Sequence, residues 1–304
     1  MTPLPVIIDC DPGTDDAIAL LLALASPEIA LQAITVVGGN VGLEHTLANA
    51  LALVELAGAR VPVHAGAARP IRGEFTSAPR AHGENGLAGV TLPPGGGAAP
   101  GLAAEIIRAH LRAAPAPLTL VGIGPATNLA LALLAEPDLA GNIAQIVLMS
   151  GARAGGNVTA AAEFNAWSDP EALAVLLAAG CPLTLAPLDL THQALVTPSR
   201  LARLRAAGTG AALATACAIL AAQPPHPTLP GPPLHDPCAL AWLIRPALFT
   251  ARPAFVAVSC AEGAMRGQTT IAPAPEETAN ALVLETLDAD GFFALLGERL
   301  SRLP

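Results

Sequence analysis

Leu4-Pro5-Val6-Ile7-Ile8-Asp9-Cys10-Asp11-Pro12-Gly13-Thr14-Asp15-Asp16 is the stretch on which the fold turns. Its apolar start is short and β-branched and is stopped by Pro12-Gly13, so it reads as a buried strand. The segment Asp15 to Ala25 is rich in Ala and Leu and unbroken, so it reads as a helix with acids in its first turn. Four carboxylates therefore crowd a strand–turn–helix junction. Helix N-terminal N–H groups relieve one or two of them. The rest need raised pKa values or a neutralising cation. A hard divalent ion, Ca²⁺ or Mg²⁺, suits such oxygen donors. One Asp here would be an acidic N-cap, but four at the carboxyl end of a sheet strand point to a site.

Outward from this junction, apolar strand-like runs recur near 4–9, 31–37, 61–64, 118–121, 144–149, 183–187, 254–260 and 281–286. Helical patterns cover 15–25, 43–57, 101–113, 127–135, 170–179, 199–206, 211–222, 236–244 and 290–301. The alternation predicts an α/β fold with an open, mostly parallel sheet flanked by helices, whose ligands bind beyond the carboxyl ends of the strands. No composition shift marks a boundary, so residues 1–304 are expected to form a single domain. The Gly/Pro-rich loops 68–100 and 223–235 are long enough to carry function.

Composition narrows the chemistry. With 53% hydrophobic residues and a mean hydropathy of +0.54, the chain can bury a large core. A net charge of −9 argues against nucleic acid or an anionic membrane as partner. All 15 basic residues are Arg, which excludes Schiff-base chemistry, a P-loop lysine and a Ser–Lys pair. Cys10, Cys181, Cys217, Cys238 and Cys260 are scattered, odd in number and never in a C-x-x-C pair, which fits neither a disulfide framework nor a zinc knuckle. The start, Met1-Thr2-Pro3-Leu4-Pro5, shows no basic signal-peptide region, and the expectation is a cytoplasmic, reduced protein.

Polar residues collect in the loops after the strands: Gly38-Gly39-Asn40; His82-Gly83-Glu84-Asn85-Gly86; Gly122 to Asn128; Asn157, Glu163, Phe164, Asn165, Trp167 and Asp169; Asp189 to Gln193; and His235-Asp236. Such a rim suits a hydroxyl-rich ligand and a metal. Each residue also has a plainer role. Asn128 and Asp169 precede helical patterns and read as caps. Gly38, Gly39, Gly122 and Gly124 suit tight turns. Asp189 and His192 can form a local turn, Asp236 can be an N-cap, and His82 a surface residue. His45, His64, His110 and His226 carry no functional signal.

The signature Asp9-x-Asp11-Pro12-Gly13-x-Asp15-Asp16 resembles that of the nucleoside hydrolases, the inosine–uridine-preferring N-ribohydrolases. Val37-Gly38-Gly39-Asn40, His82 to Gly86, Gly124-Pro125-Ala126-Thr127-Asn128, Glu163-Phe164-Asn165 and His235-Asp236-Pro237 follow in that family's order. The resemblance implies Ca²⁺-dependent hydrolysis of the N-glycosidic bond of purine or pyrimidine ribonucleosides. It implies Ca²⁺ held by Asp11, Asp16, Asp236 and the Thr127 main-chain carbonyl, with Asp11 also the general base. It puts Asp15 and Asn165 on the ribose 2′- and 3′-hydroxyls, and Asn157 and Glu163, beside Phe164, on the 5′-hydroxyl. Asn40 would lie near the attacking water, His235 would protonate the leaving base, and His82 would assist. A homodimer or homotetramer is implied. The chain departs from the family in having no Tyr to pack on the base. A Pro-rich loop, Pro224 to Pro233, stands where a more helical base-contacting segment is expected.

Two rival readings share parts of the pattern. A haloacid-dehalogenase-type Mg²⁺ phosphatase would use Asp9 as nucleophile and Asp11 as acid, but Gly13 and the missing Lys oppose it. A non-catalytic nucleoside or sugar binder would need the hydroxyl-binding groups without a base beside the ion.

Overall fold

In the computed structural model, which describes residues 2–304, β1 (Leu4–Cys10) sends alternate side chains into two apolar layers. Val6, Ile8 and Cys10 join one core and Ile7 the other, as the pleat of a strand buried on both faces dictates. The other strands are β2 (Ile29–Val36), β3 (Val63–Ala65), β4 (Leu118–Gly122), β5 (Ile143–Met149), β6 (Leu183–Ala186), β7 (Phe249–Val258), β8 (Thr269–Pro273) and β9 (Ala281–Leu287). They form one sheet in the order β3-β2-β1-β4-β5-β6-β9-β7-β8. Pairing is parallel from β3 through β9, while β7 runs antiparallel to both β8 and β9. The fold is α/β, with a mostly parallel sheet covered by helices.

The chain winds outward from β1 to β3, returns to lay β4 against β1, and then winds the other way. That reversal opens a crevice beyond the carboxyl ends of β1 and β4. The Asp-rich turn follows β1, and Gly122 to Thr127 follows β4. Register sets the details: Asp9 pairs with Thr35 on β2 and with Gly122 on β4.

The helix Thr14–Leu24 is buried on every side from Thr14 to Ala23, which its unbroken Ala/Leu composition permits. It packs in the first core with helices Leu43–Leu56, Ala211–Ala222, Pro237–Ile244 and Ala289–Leu300. Helices Ala103–Ala113, Thr127–Ala135 and Pro170–Ala178 cover the other face. Among the described residues, no helix is long and apolar enough to cross a membrane.

The strands and helices fall near the ranges read from the sequence, with three differences. Strand β8 has no counterpart there, being short, half polar and at the sheet edge. Strand β7 begins at Phe249, ahead of the expected 254, and runs through Pro253. The short helices Pro79–His82, Phe164–Ser168 and Leu188–Thr191 were also unread, because one turn shows no 3.6-residue period. All three carry candidate site residues.

Candidate active site

The four aspartates of the turn are all buried, and each faces differently. Asp9 points into the sheet: its Oδ1 accepts from Thr35 Oγ1 at 2.6 Å and Asn128 Nδ2 at 2.8 Å. Burial pushes its pKa up to about 7. A carboxylate sealed in this way is no phosphatase nucleophile. Asp16 folds back on its own turn, accepting the N–H groups of Gly13 at 3.0 Å and Asp11 at 3.1 Å. It thereby satisfies donors at the helix start, where the dipole favours a negative charge. Even so, burial and the neighbouring Asp15 raise its pKa to about 7.

Asp11 is wedged between two backbone segments. A Cβ at either Gly39 or Gly124 would collide with its carboxylate. Neither glycine has the positive φ of a left-handed turn, so both are there for close approach. Asp11 Oδ2 accepts the Asn40 N–H at 2.6 Å, whereas Oδ1 is buried with no partner. Burial, with Asp16 adding repulsion, drives the Asp11 pKa well above the carboxylate range.

The fourth acid of the cluster arrives from far along the chain. Asp236 stands at the N-cap position of helix Pro237–Ile244 but caps nothing with its side chain. Instead Asp15, Asp16 and Asp236 each offer an oxygen, and these lie within 4.8 Å of one another. Burial and repulsion from Asp15 and Asp16 lift the Asp236 pKa well above the usual range. Converging buried carboxylates and an unpartnered Asp11 oxygen fit a divalent cation, which would remove the repulsion outright. Asp15, read from the sequence as a hydroxyl binder, thus belongs to the metal-competent group as well.

Asn40 and Asn165 are buried in the same crevice. Asn40 spends both amide hydrogens on the acids, donating to the Asp11 carbonyl at 3.1 Å and Asp16 Oδ2 at 3.0 Å. Asn165 donates to the carbonyls of Ile123 at 3.1 Å and Met149 at 3.0 Å, which joins the ends of β4 and β5. Glu163 caps helix Phe164–Ser168 and also accepts the Gly151 N–H at 2.8 Å. Asn157 lies on an exposed loop and accepts the half-buried Phe164's N–H at 2.8 Å. Thr127 opens helix Thr127–Ala135, and its hydroxyl donates to Asp169 Oδ2 at 2.6 Å.

Two histidines flank the acids. His82 Nδ1 accepts the Thr14 N–H at 3.2 Å, lies 3.1 Å from Thr14 Oγ1 and lies 3.9 Å from Asp15. The ring packs against the Asp-rich turn rather than standing out in solvent, and burial lowers its pKa. His235 Nδ1 sits 2.7 Å from Thr191 Oγ1. Removal from bulk water takes its pKa down to about 4, with Asp15 opposing.

Several contributors were not legible in the sequence. Gln223 Nε2 donates to Thr14 Oγ1 at 3.1 Å across 209 positions. Asn49 ties the carbonyls of Pro12 and Asn85 together at 3.0 and 2.8 Å. Asn128 is not a cap: its amide holds Asp9 and the Val36 carbonyl, and its Oδ1 accepts the Ala67 N–H. Asp169 does cap its helix, accepting from the Ala172 N–H at 3.0 Å. Asp189 accepts the Arg153 N–H at 2.7 Å, which latches the loop carrying Asn157.

A family model described as inosine-uridine preferring nucleoside hydrolase matches residues 6–294. A pyrimidine-specific ribonucleoside hydrolase, RihA, of Shewanella woodyi is 43% identical over 97% of both chains. The RihA protein of Salmonella typhimurium is 42% identical over 98% of both. Among solved structures, a purine-preferring ribonucleoside hydrolase from Gardnerella vaginalis superposes with a TM-score of 0.88 at 33% identity, covering 98% of each chain. An inosine-guanosine nucleoside hydrolase gives 0.88 at 29% identity over 99% of each.

Proposed function

The chain belongs to the inosine-uridine preferring nucleoside hydrolase family, an N-ribosyl hydrolase of ribonucleosides, and we propose that it cleaves pyrimidine ribonucleosides with one bound Ca²⁺. The observation that carries this reading is the convergence of Asp15, Asp16 and Asp236 beside the unpartnered oxygen of Asp11. The full-length likeness to pyrimidine-specific relatives supports the substrate class.

We assign the ion to Asp11, Asp16, Asp236 and the Thr127 main-chain carbonyl, with Asp15 close by. Bound there, Ca²⁺ would acidify a water and anchor the ribose hydroxyls. Asp11 takes the proton of the attacking water; the bound cation would hold its carboxylate ionised against the burial that raises its pKa. Asp15 and Asn165 hold the 2′- and 3′-hydroxyls, while Asn157 and Glu163, beside Phe164, receive the 5′-hydroxyl. The carboxylates favour the positive charge that grows on the anomeric carbon as the bond to the base breaks. The bonding electrons leave with the base, and a proton from His235 neutralises them. With Nδ1 facing Thr191, Nε2 is the atom free to deliver that proton. His82, fixed by Thr14, assists on the same side. Asn40 holds Asp11 and Asp16 beside the water. A cytoplasmic homodimer or homotetramer goes with this proposal, and five free cysteines suit a reducing compartment.

The test is release of base and ribose from uridine, cytidine and inosine, with and without EDTA. Pyrimidine nucleosides should be cleaved fastest, chelation should abolish turnover, and Ca²⁺ should restore it. Turnover indifferent to chelator would remove the metal from the mechanism. No release from any nucleoside would remove the substrate assignment.

A further inference from the structure

The Pro-rich loop that departs from the family pattern carries a histidine on a rigid mount. Pro224, Pro225, Pro227, Pro230, Pro232 and Pro233 restrict the backbone before any contact is made. Both ends of the loop are tied down. At the start, Gln223 donates to Thr14 in the Asp-rich turn. At the end, Val196 N–H donates to the Pro232 carbonyl at 2.9 Å, and Leu234 N–H to the Ala194 carbonyl at 3.0 Å. Between these anchors His226 is half-buried while its immediate neighbours are exposed.

The ring of His226 has one defined polar outlet. Its Nδ1 accepts the backbone N–H groups of Leu229 at 3.1 Å and Thr228 at 3.2 Å. Two donors on Nδ1 put the ring proton on Nε2, so that atom is a hydrogen-bond donor whose own loop makes no claim on it. The ring stands edge-on to His192 with centroids 5.9 Å apart, and His192 lies 5.8 Å from His235. The three imidazoles therefore run in a row outward from His235, the residue assigned above to protonate the leaving base. No tyrosine exists in the chain to offer a phenol there.

We propose that His226 is a specificity-determining residue whose Nε2–H donates to the 4-carbonyl oxygen of a uracil base. The inference rests on the pyrimidine reading of the site. It makes uridine the favoured substrate, because cytosine presents an amino donor at the same position and donor would face donor. The rigid loop matters here: a donor that cannot swing away or change tautomer discriminates between bases instead of adapting to both.

The experiment compares kcat/KM for uridine and cytidine in the full-length wild type, His226→Ala and His226→Gln, with thermal unfolding to verify that each variant folds. Wild type should favour uridine, and His226→Ala should lower the uridine-to-cytidine ratio by about three- to tenfold, the worth of one neutral hydrogen bond. His226→Gln, whose amide offers a donor or an acceptor, should bring the ratio toward one. A ratio unmoved by either substitution, or a wild type that favours cytidine, overturns the proposal. If wild type cleaves neither nucleoside, the pyrimidine reading itself fails and takes this inference with it.

Discussion

The backbone N–H of Asn40 meets Asp11 Oδ2 at 2.6 Å, and the side-chain amide of the same residue returns to the Asp11 carbonyl at 3.1 Å. Asn40 therefore holds Asp11, the proposed general base, at two points, and its remaining amide hydrogen goes to Asp16. Its first role is to position the acids. Asn40→Asp keeps the backbone donor but replaces both side-chain N–H donors with one more carboxylate, and should lower kcat by about a hundredfold, with weaker Ca²⁺ binding. Steady-state kinetics together with metal titration checks both effects.

Gly39 makes a second, purely steric test. A methyl group there would meet the Asp11 carboxylate, and the Pro125 ring beside it leaves little room to yield. Gly39→Ala should fold, since φ is not positive, yet lose at least about a hundredfold in kcat through displacement of the base. Retention of near-normal turnover would show that Asp11 tolerates movement.

His235 should matter in proportion to how badly the leaving group needs a proton. His235→Ala should cost roughly a hundredfold or more in kcat for uridine with little change in KM. The loss should be much smaller for p-nitrophenyl riboside, whose phenolate departs unaided. Equal losses on both substrates would point to a structural role for the ring.

The buried carboxylates and histidines set opposing limits on the metal-free protein. Asp9 and Asp16 have folded-state pKa values near 7, above their unfolded values, so their contribution is present at low pH and is lost as pH rises through about 7. His235 is depressed to about 4, so its contribution is present above about 6.5 and is lost as pH falls toward 4. With two such carboxylates against one imidazole, the chelated protein should lose stability as pH rises from about 5 to 8. Added Ca²⁺ should raise the unfolding midpoint most above pH 7, by at least about 4 °C, because the cation replaces the protons. Calorimetry across pH 5–8, with and without EDTA, measures this directly.

The parts of the site that were legible in the sequence are those built from neighbours in the chain. The cap at Asp169 was readable because its acceptor and the Ala172 donor are three residues apart. Asn128 carries the same kind of signal but was misread as a cap, since its amide partner Asp9 is 119 positions away. Gly39 and Gly124 were read as turn residues for a similar reason: the carboxylate that needs their missing side chains comes from another strand end. Strand β7 can run through Pro253 because β8 pairs only from Ala254 onward, so the proline lies where β7 has a single partner strand.

The strand, the turn and the four crowded aspartates were determined by thirteen consecutive residues, because apolar patterning, turn chemistry and charge density act locally. Only the tertiary structure decided that Asp9 turns into the sheet, that Asp15 joins Asp16 and Asp236 in the acid cluster, and that His226 stands in a row with His192 and His235. Those choices depend on the strand order that sets β1 against β4 and on loops anchored some two hundred residues apart. Local propensity carries no information about either.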